Sequence, residues 1–196
     1  MGVSAGTMRK ALDILEAERV VSRRQGRGTF VSDQASGEMR FRFESMRTES
    51  GEWVSCTFKD IEVSEGVADD RERARLQLDQ RARVVRIRCV RLFNGRPCMR
   101  EQSCLPEAMF PNLLQRAHSP YSILEVAAGY GVVLGRAYER ISPIAADGTV
   151  AAKLEIPEGT AILELERVLH SSEGVSVQWR LAQCHLPGGH FHIDMT

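Results

Sequence analysis

The sequence predicts an α+β protein, an antiparallel sheet with few helices, preceded by a short basic helix-and-hairpin segment. Three observations carry that prediction. Segments of alternating apolar and polar residues are joined by hairpin-length links, the clearest at Asn94-Gly95, rather than by the helical crossovers a parallel sheet needs. Stretches with helical periodicity are few and short, and no βαβ unit repeats. Charge is also divided unevenly. Residues 1–31 carry six basic groups (Arg9, Lys10, Arg19, Arg23, Arg24, Arg27) against three acidic ones (Asp13, Glu16, Glu18), so a chain of zero net charge joins a basic piece to a mildly acidic body.

Taken in order, residues 4–18 read as a helix. Ser4 is suited to the N-cap, where its hydroxyl accepts an otherwise unpaired backbone N–H. Met8, Ala11, Leu12 and Leu15 recur at i, i+3, i+4 and i+7 and form one apolar stripe. Val20 to Arg24 and Thr29 to Val31 flank Gln25-Gly26-Arg27-Gly28, a hairpin with a basic, glycine-bearing tip. Residues 32–39, small and polar, read as a linker. Beyond it, Arg83 to Phe93 and Cys98 to Leu105 read as strands joined at Asn94-Gly95, and Tyr121 to Ala128 as a short helix. Arg136 to Pro143, Ala161 to Leu169, Val175 to Cys184 and Phe191 to Asp194 read as further strands, with a polar turn at Ser171 to Gly174.

Composition excludes several classes. Hydrophobic residues make up 43% and charged residues 27% of 196, which describes a globular chain rather than a disordered one. No apolar run approaches the roughly 20 residues needed to span a bilayer, and the N-terminus lacks a signal-peptide h-region, so no membrane partner is expected. The five cysteines form no C-x-x-C pair, and a chain this long buries a core without staples, so reduced thiols in a cytoplasm are the simpler reading. Cys184, His185, His190 and His192 are soft or imidazole ligands, but no second cluster supplies the remaining ligands of a zinc site, and neither a metal nor a cofactor is expected. Gly26-Arg27-Gly28 lacks the rest of a G-x-G-x-x-G loop and its strand–loop–helix setting.

The basic segment has a physical use. A helix presenting Arg and Lys can enter a major groove, where Arg donates two hydrogen bonds to guanine, while a basic hairpin touches phosphates or the minor groove. Residues Gly2 to Leu12, then Leu15-Glu16-Ala17-Glu18, then Arg23 to Val31 resemble the winged helix-turn-helix of the GntR superfamily of bacterial repressors. The resemblance implies that Ser4 to Glu18 is the recognition helix and Arg23 to Thr29 the wing. It implies DNA contacts from Ser4, Thr7, Arg9 and Lys10 on the helix and from Arg24, Gly26 and Arg27 on the wing. Ala5 stands where the family often has Arg. The chain starts within the turn of the motif, so the resemblance also implies a truncated product: without the preceding helices the stripe of Met8, Leu12 and Leu15 loses cover worth several kcal/mol at roughly 25 cal/mol per Å², and residues 1–31 would bind DNA poorly.

Residues 40–196 resemble the UTRA domain of the HutC-type branch of that superfamily. The resemblance rests on Arg91 to Pro97 followed by Glu101, on Leu105-Pro106, on Ser119 to Leu124 before Tyr130-Gly131, and on Leu154 to Thr160 before Leu163 to Arg167. It implies a fold like that of chorismate lyase: an antiparallel sheet with helices on one side and a ligand cavity, in a homodimer that senses a small molecule. Effector contacts are implied for Arg91, Glu101, Ser119 and Tyr121. Arg91 and Glu101 lie on the two arms of the Asn94-Gly95 hairpin, so inward-facing positions bring both over one face; Arg offers a fork for a carboxylate or phosphate, and Glu accepts from hydroxyl or amine groups. Cys89 replaces the second Arg of an Arg-x-Arg pair, Gln178 stands where Glu is common, and His185 where Arg is usual. One cation fewer sacrifices a charge-assisted bond of roughly 1.5–3 kcal/mol to a dianion, so the expected effector is a monoanion or a zwitterion. The expected function is allosteric repression through operator DNA in the full-length protein. The competing reading is a lyase-type enzyme on the same fold, with Glu101 or His185 as general base.

Overall fold

The structure is a computed structural model that describes residues 4–17, 21–24, 28–31, 46–116 and 122–192. At the N-terminal end, helix α1 spans Ala5–Ala17, and the Ser4 hydroxyl accepts the Thr7 backbone N–H at 3.1 Å, the cap expected from the sequence. Strands β1 (Val21–Arg24) and β2 (Gly28–Val31) pair antiparallel, with Val21 opposite Val31. The linker at 32–39 lies outside the described residues.

The remaining elements are β3 (Met46–Thr48), β4 (Thr57–Val67), α2 (Asp70–Leu76), β5 (Arg83–Phe93), β6 (Arg96–Pro106), α3 (Leu113–Arg116), α4 (Ile123–Gly129), β7 (Leu134–Ala145), α5 (Gly148–Leu154), β8 (Ala161–Ser171), β9 (Ser176–Cys184) and β10 (Gly189–Phe191). Six strands form one antiparallel sheet in the order β4-β5-β6-β9-β8-β7, and β10 pairs with β3 outside it. The α+β antiparallel architecture follows the sequence expectation. Asn94 and Gly95 take positive φ of 50° and 77°, as a tight hairpin turn requires, and this fixes β5 against β6. No helix among the described residues is long and apolar enough to cross a membrane.

The helices do not share one side, which corrects the expectation. Register places Val85, Ile87, Leu105 and Leu169 on one face, where they pack with Ile123, Leu124, Val126 and Ala127 of α4 and with Phe110 and Leu113. The opposite face carries Val84, Cys104 and Trp179, covered by Leu76 of α2. Helix α5 buries Val150, Ala151 and Leu154 with Ile162. The physical reason is that the central strands are apolar on both faces, so each needs cover; β9 is buried along almost its whole length. Helix α2 starts at a reciprocal cap: the Asp69 carboxylate accepts the Glu72 N–H and the Glu72 carboxylate accepts the Asp69 N–H, both at 2.8 Å. Glu72 is fully buried, and its charge is met by the Arg86 guanidinium at 2.6 Å.

Candidate functional site

Across the face that carries α4, the apolar packing is interrupted by a row of polar side chains on adjacent strands. Register sets Cys89 opposite Glu101, Glu101 opposite Ala182, Ser103 opposite Arg180, Arg180 opposite Arg167, and Arg167 opposite Glu139. Because side chains on a strand alternate faces, Arg91, Glu101, Ser103, Gln178, Arg180 and Arg167 all project to this one side. Arg91 Nε donates to Glu101 Oε2 at 2.8 Å, and Arg180 Nη2 donates to the same oxygen at 3.0 Å. The Ser103 hydroxyl donates to Glu101 Oε1 at 3.4 Å, and Gln178 Nε2 donates to that hydroxyl at 3.1 Å. Arg180 also faces Glu139 at 3.6 Å, and the Arg91 guanidinium lies over the Phe58 ring at 5.4 Å.

The electrostatics of the row are unusual for a sheet interior. Burial pushes the Glu101 carboxyl up, but Arg180 and Arg91 outweigh it and hold the group at about 2, so it is ionised at any physiological pH. Burial, then the neighbouring Arg180, pulls Arg167 down to about 10, which still leaves it cationic at neutral pH. Burial and the Glu101 charge push the Cys89 thiol up to about 12, so it is a neutral wall of the site. Three guanidiniums thus face two carboxylates, an excess of one positive charge. Two buried polar atoms, Gln178 Oε1 and Arg180 Nε, have no hydrogen-bond partner among the described residues.

Of the effector residues expected from the sequence, Arg91, Glu101, Cys89 and Gln178 come together on this face; Ser119 and Tyr121 lie outside the described residues. Arg91 and Glu101 do not stand apart over a hollow but close on each other, because opposite charges buried side by side neutralise one another. A cavity of ≈ 270 Å³ begins farther along the same face, lined by Met46, Leu163, Leu165, Cys184 and Phe191, and one of ≈ 630 Å³ is lined by Phe93, Asn94, Arg96, Leu154 and Glu155; neither is lined by Arg91 or Glu101. His185 borders both cavities, one residue past β9, and its N–H donates to the Cys98 carbonyl. Sequence reasoning missed Arg180, Arg167, Ser103 and Glu139. A period-2 count held the signal for two of them: Ser103 is two residues from Glu101, and Arg180 two from Gln178.

At the N-terminal segment, Ser4, which caps α1, and Thr7, Arg9 and Lys10, which lie on it, are all exposed. On the stripe, Leu12 and Leu15 are half-buried and Met8 stays 51% exposed. Arg24 lies on β1, opposite Gly28; Gly26 and Arg27 lie outside the described residues.

The family model for the UTRA domain matches residues 53–186, and that for bacterial regulatory proteins of the gntR family matches residues 1–31. The mannosyl-D-glycerate transport/metabolism system repressor MngR of Escherichia coli (strain K12) is 27% identical over 166 residues, which span 83% of this chain and 68% of that one. The crystal structure of PhnF from Mycobacterium smegmatis shares 22% identity and superimposes with a TM-score of 0.68, covering 99% of this chain and 86% of PhnF. A GntR-family transcriptional regulator from Enterococcus faecalis V583 gives 20% identity and a TM-score of 0.64 over 71% of this chain and all of the other.

Proposed function

We infer that this chain, which belongs to the UTRA-domain family and is a GntR-family transcriptional regulator with an effector-binding domain, acts as a repressor whose grip on operator DNA is set by a small anion held at the buried charged row. Residues 1–31 read DNA, 32–39 connect, and 40–196 sense, in a cytoplasmic homodimer of the HutC type that spaces two winged helices on a palindromic operator. At α1 and its cap, Ser4, Thr7, Arg9 and Lys10 meet the duplex; on the wing, Arg24, Gly26 and Arg27 do.

The observation that carries the effector reading is the row itself: Glu101, Arg180 and Gln178 buried together, with Gln178 Oε1 and Arg180 Nε lacking hydrogen-bond partners among the described residues. Burying such groups in a sheet is costly unless they are paired, and charged clusters of this kind gather at functional sites. A carboxylate entering beside Arg91 competes with Glu101 for its guanidinium, and the released Glu101 oxygen accepts from an ammonium or hydroxyl of the same molecule. The excess of one positive charge is neutralised by a monoanion. A phosphate dianion would overshoot it. The cation removed by Cys89 is replaced from neighbouring strands by Arg180 and Arg167, yet Glu101 and Glu139 offset two of the three. Gln178 Oε1 supplies an acceptor and Arg180 Nε a donor, while Cys89 forms part of the wall; Ser119 and Tyr121 join the set through the family resemblance alone. MngR, by its name, governs a system for mannosyl-D-glycerate, itself a monocarboxylate. An effector that favours one dimer geometry shifts the population away from the DNA-competent one, by no more than its differential affinity for the two.

The reading is of a sensor rather than an enzyme, because a carboxylate held near 2 by two guanidiniums is a poor general base at neutral pH. A thermal-shift screen of monocarboxylates, amino acids and sugar phosphates, repeated on Arg91→Ala, tests it. The expected result is a melting-point rise with a monocarboxylate or amino acid, lost in the variant, and no consumption of chorismate. A larger rise with sugar phosphates, a full response in Arg91→Ala, or turnover overturns it.

A further inference from the structure

Away from the charged row, three of the five cysteines gather in the apolar cluster where β6, β8 and β9 meet the β3 and β10 segments: Cys98 and Cys184 are buried and Cys56 is half-buried. Their roles differ by geometry. The Cys184 thiol donates to the Met46 thioether at 3.4 Å. Cys56, in the residue before β4, and Cys98, on β6, bring their sulfurs to 3.7 Å of each other across 42 positions of sequence. Cys98 is the extra residue of a bulge: Arg91 pairs with Met99 and Leu92 with Pro97, so Cys98 has no partner across the ladder. Its thiol also approaches the Arg91 carbonyl at 3.5 Å. Cys89 and Cys104 sit elsewhere, one beside Glu101 and the other on the opposite face near Trp179.

We propose that Cys56 and Cys98 form a redox-active thiol pair that hydrogen peroxide converts to an intrachain disulfide. The contact has to shorten by about 1.7 Å to reach a bond of about 2.05 Å, a movement that the segment before β4 and the bulge at Cys98 can share without breaking ladder hydrogen bonds. The hydrogen bond to Cys56, and then burial, push the Cys98 thiol far above its ordinary range, so Cys98 keeps its proton, and Cys56, the more accessible sulfur, is the one that peroxide reaches. The Cys56 thiolate attacks one peroxide oxygen; the O–O bond breaks, hydroxide departs and is protonated to water, and Cys56 becomes a sulfenic acid. The Cys98 sulfur then attacks the Cys56 sulfur, the S–O bond breaks, and the second water leaves with the Cys98 proton. Two thiols lose two electrons in all, and one peroxide is reduced to two waters. The cross-link ties the segment preceding β4 to β6 across β5. The thiol pair stands independently of which effector the charged row takes.

The test uses the full chain, fully reduced and then exposed to equimolar hydrogen peroxide, with intact mass and non-reducing peptide mapping as readouts. The expected product is a monomer lighter by two hydrogens, carrying a Cys56–Cys98 linked peptide and restored by dithiothreitol. In Cys98→Ser, dimedone is expected to trap a sulfenic acid at Cys56. A linkage through Cys184, an intermolecular disulfide, oxidation of Cys56 past the sulfenic stage in the unaltered chain, or no reaction overturns the proposal.

Discussion

The Glu101 carboxylate offers a quantitative handle on the charged row. In the folded protein it titrates near 2, against 4.5 for the unperturbed group. At about 1.36 kcal/mol per pKa unit, that difference corresponds to about 3 kcal/mol of stability. Because the folded-state value is depressed, this stabilisation is fully present above the ordinary 4.5 and is lost as pH falls toward 2. Glu101→Gln keeps the shape and removes the titration, leaving Arg91 and Arg180 with an amide in place of a counter-charge. The expected cost at neutral pH is about 3–5 kcal/mol, typical of breaking a buried pair by removing one partner. Urea unfolding of both proteins at a series of pH values from about 7 to about 3 measures both effects. Over the acid limb, the stability gap between wild type and Glu101→Gln should shrink progressively. The other depressed carboxylates, Glu72, Glu166 and Asp60, are common to both proteins and cancel in the difference. A gap that stays constant with pH refutes the assignment of Glu101 as the ionised centre of the row.

Two further predictions follow from close approaches and from charge. A Cβ at Gly135 would lie 2.6 Å from the Ser171 carbonyl oxygen, in the irregular start of β7, whereas one at Gly129, in the last turn of α4, meets nothing within 4 Å. Gly135→Ala should therefore destabilise by about 1–3 kcal/mol and Gly129→Ala should stabilise by up to about 1 kcal/mol, both by urea titration; equal losses would refute the contrast. On α1, Arg9→Ala and Lys10→Ala should each weaken binding to duplex DNA and lower the slope of log affinity against log salt by about 1, read by fluorescence anisotropy. An unchanged slope removes that residue from the DNA contacts.

How much was legible in the sequence varies element by element. The β5–β6 hairpin was readable to the residue at its start and turn, because Asn94-Gly95 permits positive φ at two successive positions and Arg83 to Phe93 is a long run rich in apolar and β-branched residues. Ser4 was readable as a cap because capping is local. Helices α2 and α5 escaped notice although Asp69 and Asp147 cap them, each carboxylate accepting the N–H three residues on. At seven residues apiece they carry too few turns for a periodic stripe to stand out. Strand β4 also escaped notice, since it is an edge strand interrupted by a bulge between Lys59 and Glu62 and exposes most of both faces. In the charged row, Arg91, Glu101, Cys89 and Gln178 were found through the family resemblance, and one hairpin carries the first three.

The chain by itself determined what depends on neighbours in sequence: caps, turns, strand alternation, the basic character of residues 1–31, and the pairing of two hairpin arms. Tertiary structure decided what depends on strand order. Only when β9 settles between β6 and β8 do Arg180 and Arg167, some eighty and sixty-five residues from Glu101, reach the same buried carboxylate environment. The same placement covers both faces of the sheet, which is why helices lie on each. Long-range burial, rather than local propensity, turns separate polar residues into one electrostatic unit, because charges interact strongly only once water has been removed from between them.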